Sequence, residues 1–374
     1  MSWSIKLIRV KGIDIKLHLT FVLILIWAAY RWGVSIGAGP KGALFGVVVI
    51  LLLFVCVTLH ELAHSLTAMH FGVKVRGITL LPIGGISQME EMPKKPKEEL
   101  LMSVAGPLTN FVIAAVLILV SVLFRWEAGL SAQHLNEVLG SVRWAALPSY
   151  LAIANIMLGV FNLLPAYPMD GGRVLRSILA MRLDYAKATA WAVNIGQGMA
   201  WLLGLWGVLA GAWTLVIIAI FIYLGASQEG QLVEAKGVLG KLNVRQAMTG
   251  KFQTVTPDAP LSRVVDLILH SFQTDFPVVE GGRLAGFISE FDLVGALKTY
   301  GPEVAVKQVM KTDVPTVDPD ETLFEARQRM GLARLRSMPV LKEGRLEGML
   351  TADDISEAFL FTSLKPDLLR RSVS

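Results

Sequence analysis

The sequence predicts a polytopic α-helical membrane domain of about six transmembrane helices followed by a soluble α/β domain. Three observations predict it. Of 374 residues, 53% are hydrophobic and only 17% charged, and the mean hydropathy is +0.56, too apolar for a soluble chain of this length. The apolar excess stops near Leu224, and charge then returns to the density of a soluble protein. From Val244 onward the sequence repeats itself with an offset of 62 (306 − 244). The boundaries that follow are residues 1–228 for the membrane domain, 229–240 for a linker, 241–300 and 301–362 for the two repeats, and 363–374 for a C-terminal tail.

A spanning helix needs ~20 mostly apolar residues. Candidates fall at Leu17–Trp32, Ala43–Phe71, Leu100–Phe124, Leu147–Leu164, Ala188–Leu209 and Ala212–Ser227. Lys6, Arg9, Lys11 and Lys16 precede the first span; Lys74, Arg76, Lys94, Lys95 and Lys97 lie between the second and third; Arg173, Arg176, Arg182 and Lys187 lie between the fourth and fifth. The opposite loops hold only Arg31 and Lys41, then Arg125 and Arg143. The positive-inside rule then predicts a multi-pass cell-membrane protein with the N-terminus and the repeats in the cytoplasm. No small-residue cleavage site precedes the second span, so the first helix is expected to be retained. The same asymmetry accounts for the net charge of +5 and argues against nucleic-acid binding. Cys56 stands alone, which excludes an intramolecular disulfide and a cysteine-cluster metal site.

The second span carries His60-Glu61-Leu62-Ala63-His64. At 3.6 residues per turn the two histidines share a face and can share one ion. Glu61, one position on, can reach water beside that ion without ligating it, as a general base must. A packed or solvated helical histidine is the bland alternative. Here the motif follows the apolar run Ala43–Leu59, where a charged residue costs ~2.5–3.5 kcal/mol even on the lenient insertion scale, so the polar trio needs a partner. A catalytic zinc takes three protein ligands. The third candidate is Asp170 in Asn162-Leu163-Leu164-Pro165-Ala166-Tyr167-Pro168-Met169-Asp170-Gly171-Gly172, where two prolines break the helix. As a lone Asp beside a glycine pair it reads equally as a helix cap.

The metal-binding helix, followed about a hundred residues later by Asn-x-x-Pro-x-x-x-x-Asp-Gly, resembles the site-2 protease family over nearly the whole chain. The resemblance implies one zinc per chain on His60, His64 and Asp170, with Glu61 activating water; Asn162 matches a weaker family feature and reads as polarising the scissile carbonyl or positioning substrate, with a bond between helices as its bland alternative. It implies a transmembrane or membrane-associated protein as substrate and the lipid bilayer as surroundings. Gly106, Pro107 and Asn110 in the third span match weaker family features but read first as helix packing. The extended stretch Leu80–Met89 holds Gly84 and Gly85 as candidate substrate-binding residues, where a substrate strand could add to an edge. His18, His70, His134 and His270 are assigned no metal role.

Each repeat reads as a helix (Leu261–His270; Leu323–Met330), a short strand (Pro277–Val279; Pro339–Leu341), a Gly turn, a second strand (Ala285–Ser289; Glu347–Thr351) and a closing helix. The pattern resembles the cystathionine-β-synthase (CBS) domain pair, most specifically in Gly286, Ser289, Asp292 and Gly348, Thr351, Asp354. That resemblance implies an adenine nucleotide such as ATP or AMP on Ser289, Asp292, Thr351 and Asp354, and a homodimer through the CBS domains. Helix N-capping is the bland reading of the same four residues. CBS pairs also regulate transporters, so the alternative function is a CBS-regulated membrane ion transporter. An ion path would spread polar residues through several spans, whereas here they concentrate in two segments.

Overall fold

Alternation of apolar and polar residues in Ile13-Asp14-Ile15-Lys16-Leu17 makes a strand before any helix begins. The structure, a computed structural model, describes residues 3–89, 92–93, 95–124 and 142–364. It divides into two compact units, Met1–Gly230 and Gln231–Ser374.

In the first unit, β1 (Ser4–Val10) and β2 (Ile13–His18) form a hairpin. Its two-residue turn, Lys11-Gly12, has positive φ at both positions, the geometry that matches strand twist. β2 pairs in parallel with β3 (Val75–Leu81), which pairs antiparallel with β4 (Gly84–Met89). The sheet order is β1-β2-β3-β4, so β4 is an edge. The first predicted span is corrected here. Leu17 and His18 belong to β2, and the helix, α1 (Phe21–Tyr30), extends through a wider π turn only to Ser35. Ladder pairing on both sides of β2 outweighs the local helical pattern.

Among the described residues five helices, all after α1, are long and apolar enough to cross a membrane: α2 (Gly39–His70), α3 (Pro96–Leu123), α4 (Leu147–Asn162, entered by a 3₁₀ turn from Trp144), α6 (Tyr185–Leu209) and α7 (Trp213–Leu239). The short α5 (Asp170–Ala180) lies between α4 and α6. A core of Ile13, Phe21, Phe45, Val49, Phe54 and Ile78 ties the sheet to α1 and α2. Large apolar side chains such as Val55, Val116, Leu202, Trp206 and Ile217 face outward, as a lipid solvent allows. The expected connection at 229–240 is helical and continuous with the last apolar helix: α7 runs unbroken from Trp213 to Leu239.

The second unit repeats one plan twice. α8 (Leu261–His270), β5 (Phe276–Glu280), β6 (Arg283–Ile288) and α9 (Glu290–Tyr300) answer α10 (Leu323–Ala333), β7 (Ser337–Lys342), β8 (Arg345–Thr351) and α11 (Ala352–Leu364). Each hairpin is antiparallel, with a bulge at the equivalent place. The copies meet where Ser337 Oγ donates to buried Asp275 Oδ2 at 2.5 Å, while Asp275 Oδ1 accepts the Glu290 N–H at 3.1 Å. The tail beyond Leu364, together with Lys94, Arg125 and His134, lies outside the described residues.

Candidate metal centre

Helix α2 turns His60 and His64 to one side, four residues apart, and both are buried. The loop after α4 doubles back tightly. A Cβ at Gly171 would sit 2.2 Å from the Leu164 carbonyl oxygen, and one at Gly172 2.7 Å from the Tyr167 nitrogen, so only glycine permits the turn. The turn starts α5 at Asp170, in the first turn of that helix, where the backbone N–H groups favour a carboxylate. The result is a three-atom cluster. His60 Nε2 and His64 Nε2 lie 3.2 and 3.1 Å from Asp170 Oδ2, and 3.1 Å from each other.

These donors fit a divalent metal on chemical grounds. His64 Nδ1 lies 2.6 Å from the Met102 carbonyl oxygen. A carbonyl only accepts, so Nδ1 carries the proton and Nε2 of the neutral ring presents a lone pair. In that neutral form the lone pair faces a carboxylate oxygen at 3.1 Å, a contact that a metal ion shared by the two atoms makes favourable. The spacing matches too: tetrahedral ligands at ~2.0–2.1 Å from zinc are about 3.3 Å apart. A partner for the second ring nitrogen is the usual support for a ligating histidine, and Met102 supplies it for His64.

Two glycines shape the surroundings. A Cβ at Gly106 would lie 2.2 Å from His64 Nε2 and 2.7 Å from His60 Cε1. The expected packing role of Gly106 is therefore specific: it lets α3 close on the two rings. Pro107 follows inside the same helix, and Asn110, one turn on, is buried. A Cβ at Gly85 would lie 2.5 Å from Glu61 Cγ, so the β4 backbone rests on the Glu61 side chain. Ser65 Oγ and Ser87 Oγ, 2.8 Å apart, pin β4 to α2. Gly84, at φ +139°, opens the strand with nothing within 4 Å of a Cβ position. Asn162 ends α4 half-buried, and no hydrogen bond among the described residues joins it to the cluster. The other described histidines are elsewhere: His18 bonds Thr20, His70 meets Phe71 edge to face, and His270 bonds the Asp266 carbonyl.

In the second unit the four expected nucleotide residues cap helices. Asp292 N–H donates to Ser289 Oγ and Asp354 N–H to Thr351 Oγ1, while each hydroxyl returns a bond to the aspartate. Lys311 Nζ lies 2.8 Å from Asp292 Oδ2. Burial of Asp292 resists its charge, but Lys311 and the Ser289 hydroxyl outweigh that and hold its pKa below the ordinary value.

Sequence reasoning missed four features: the Met102 carbonyl, the Ser65–Ser87 tie, the closeness of Gly106 to the rings, and the pairing of Arg176. That arginine is not a free loop cation but is buried against Glu99 and Glu229. A Glu at the entrance of an apolar helix was the available signal for the last.

Long apolar helices around a buried histidine–aspartate cluster define a membrane protein of the metallohydrolase class. The model of peptidase family M50 matches residues 48–203, and the CBS domain model matches 244–299 and 306–360. A zinc metalloprotease of Methanocaldococcus jannaschii is 36% identical over 368 residues, covering 98% of this chain and 99% of that protein. Rip3 of Mycobacterium tuberculosis is 27% identical, over 95% of this chain and 93% of that one. A solved structure of a site-2 protease from M. jannaschii is 41% identical, with 61% of this chain and 95% of that chain covered and a TM-score of 0.44. The chain belongs to peptidase family M50, the site-2 proteases, and is a membrane metalloprotease with a CBS pair.

Proposed function

We propose that this chain hydrolyses a peptide bond within or beside a transmembrane segment of a membrane-protein substrate, using zinc held by His60, His64 and Asp170. The observation that carries the reading is the convergence of His60 Nε2, His64 Nε2 and Asp170 Oδ2 within 3.2 Å of one another, from residues up to 110 positions apart (170 − 60). Bound there, zinc supplies Lewis acidity to the scissile carbonyl and to water. Glu61, beside the cluster and pressed by Gly85, takes a proton from the attacking water and returns it to the leaving amine as the C–N bond breaks. Asn162 orients the substrate carbonyl. The edge strand β4, carrying Gly84 and Gly85, receives an unwound substrate as an added strand. The site opens toward the cytoplasm, the side given by the basic residues.

The CBS pair modulates this activity by binding an adenine nucleotide. Ribose hydroxyls take the places that the Ser289 and Thr351 hydroxyls hold beside Asp292 and Asp354, and Lys311 meets phosphate.

The test is to purify wild type and Glu61→Gln, measure zinc in both, and assay a panel of single-span substrates. Equal zinc with cleavage lost in the variant is expected. Zinc without Glu61-dependent cleavage of any substrate would overturn the mechanism.

A further inference from the structure

Arg176 is fully buried, and so is Glu99. The guanidinium Nε reaches Glu99 Oε1 at 2.9 Å, Nη2 bonds the same oxygen, and Nη1 meets Glu229 Oε1 at 2.5 Å. The Tyr185 and Tyr167 rings lie 4.8 and 5.4 Å from its Cζ. Such a group is a poor choice for stability alone, because desolvating one cation and two carboxylates offsets most of their attraction and apolar side chains would pack as well. What it supplies is a fixed geometry among three elements.

Two of those elements, α3 and α5, reach the metal cluster, and α7 packs on the loop before Asp170, where a Cβ at Gly225 would lie 2.5 Å from Pro168 Cδ. Glu99 stands in the first turn of α3, the helix that brings Gly106 over the histidine rings and the Met102 carbonyl to His64. Arg176 is six residues after Asp170 on α5, a helix of 11 residues and therefore a stiff rod. Tyr167 belongs to the loop whose tight turn presents Asp170. Glu229 lies on α7, one residue before the end of the first unit, and that helix continues to Leu239 in the core of the second. Glu229 is also the adjustable member, since its side chain keeps 22% exposure while those of Arg176 and Glu99 keep 1% and none.

We propose that Arg176 is a positioning residue for Asp170 and that Glu229 sets its grip, so that helix α7 holds a metal ligand through an ionic contact. The proposal rests on reading Asp170 as a ligand. A shift or rotation of α7 then changes how Asp170 meets the two histidines.

The test uses the full chain in detergent, loaded with cobalt(II) in place of zinc, as wild type, Arg176→Met, Arg176→Lys, Glu229→Gln and Asp170→Asn. Three quantities are read: metal retention against a competing chelator, the visible absorption of the bound cobalt, and kcat and KM separately. Removal of a group bonded directly to a ligand typically weakens metal binding ~10–100-fold, and Arg176 acts less directly, through helix α5. Arg176→Met is expected near the lower end, with an altered cobalt spectrum and a fall in kcat at little-changed KM. Arg176→Lys should recover part of each, and Glu229→Gln should move all three readings the same way by less. If Arg176→Met does not fold, Glu229→Gln, at the partly exposed site, decides. An unchanged spectrum and unchanged chelator competition in the folded arginine variant, or failing that in Glu229→Gln, overturns the proposal. Unchanged metal retention in Asp170→Asn overturns the ligand reading itself, and the proposal with it. Loss of metal in that variant while the arginine and glutamate variants stay silent overturns only the positioning role.

Discussion

Glycine is the residue on which the centre turns, because at two positions the missing side chain is where another residue works. Gly85→Val would drive a branched side chain into the space held by Glu61 Cγ, 2.5 Å from the Cβ position. General-base assistance is worth ~10²–10⁴-fold, so cleavage is expected to fall at least 100-fold while zinc content stays at one per chain; normal cleavage rates would refute strand contact with Glu61. Gly106→Ala acts on the metal instead. A methyl 2.2 Å from His64 Nε2 must push a ring aside, and chelator competition should show ~10–100-fold weaker zinc. At this scale His60, Glu61 and His64 were legible because an i, i+4 pair in an apolar run has no cheap alternative. Gly106 was not, since an absent side chain announces close approach without naming the neighbour, and Arg176 was not, since its partners come from helices 77 residues before and 53 after it.

Among the elements, the long helices and the repeat units could be read from period and offset, whereas the short α5, which starts at Asp170 where irregular backbone was expected, and the strands β1 and β2 could not. Their alternation is short and runs directly into apolar residues, so the same letters serve the end of a strand and the start of a helix. Only pairing with β3, distant in sequence, decides the matter. The N-terminus of α9 carries a prediction of its own. Asp292 is held ionised by Lys311 and Ser289 despite partial burial. A carboxylate whose pKa is lowered on folding contributes stability that is complete above its unfolded value, ~3.9, and lost as pH falls through the folded value. Asp292→Asn should therefore lower the melting temperature of the second unit at pH 7. The difference from wild type should vanish in acid below the ordinary carboxylate range. A difference independent of pH would show that shape, not charge, is at stake.

For the whole molecule, the division into an apolar and a charged part was visible in composition alone and the connection between them could be read as helical, but its continuity with the last apolar helix could not, because the apolar stretch ends about a dozen residues before α7 does. Calorimetry of the full chain with ATP, ADP and AMP should register binding that Asp354→Ala abolishes; heat unaffected by Asp292→Ala and Asp354→Ala together would remove the proposed nucleotide site. The contact between the two repeats has a different implication. Asp275 and Ser337 occupy the same place in successive copies (337 − 275 = 62) and bond to each other. Two aspartates there would set carboxylate against carboxylate, and two serines would leave the Glu290 N–H without its acceptor. An ancestral tandem duplication that began with identical halves must therefore have broken its own symmetry at this point, and swapping one half for a second copy of the other would recreate the conflict that divergence removed.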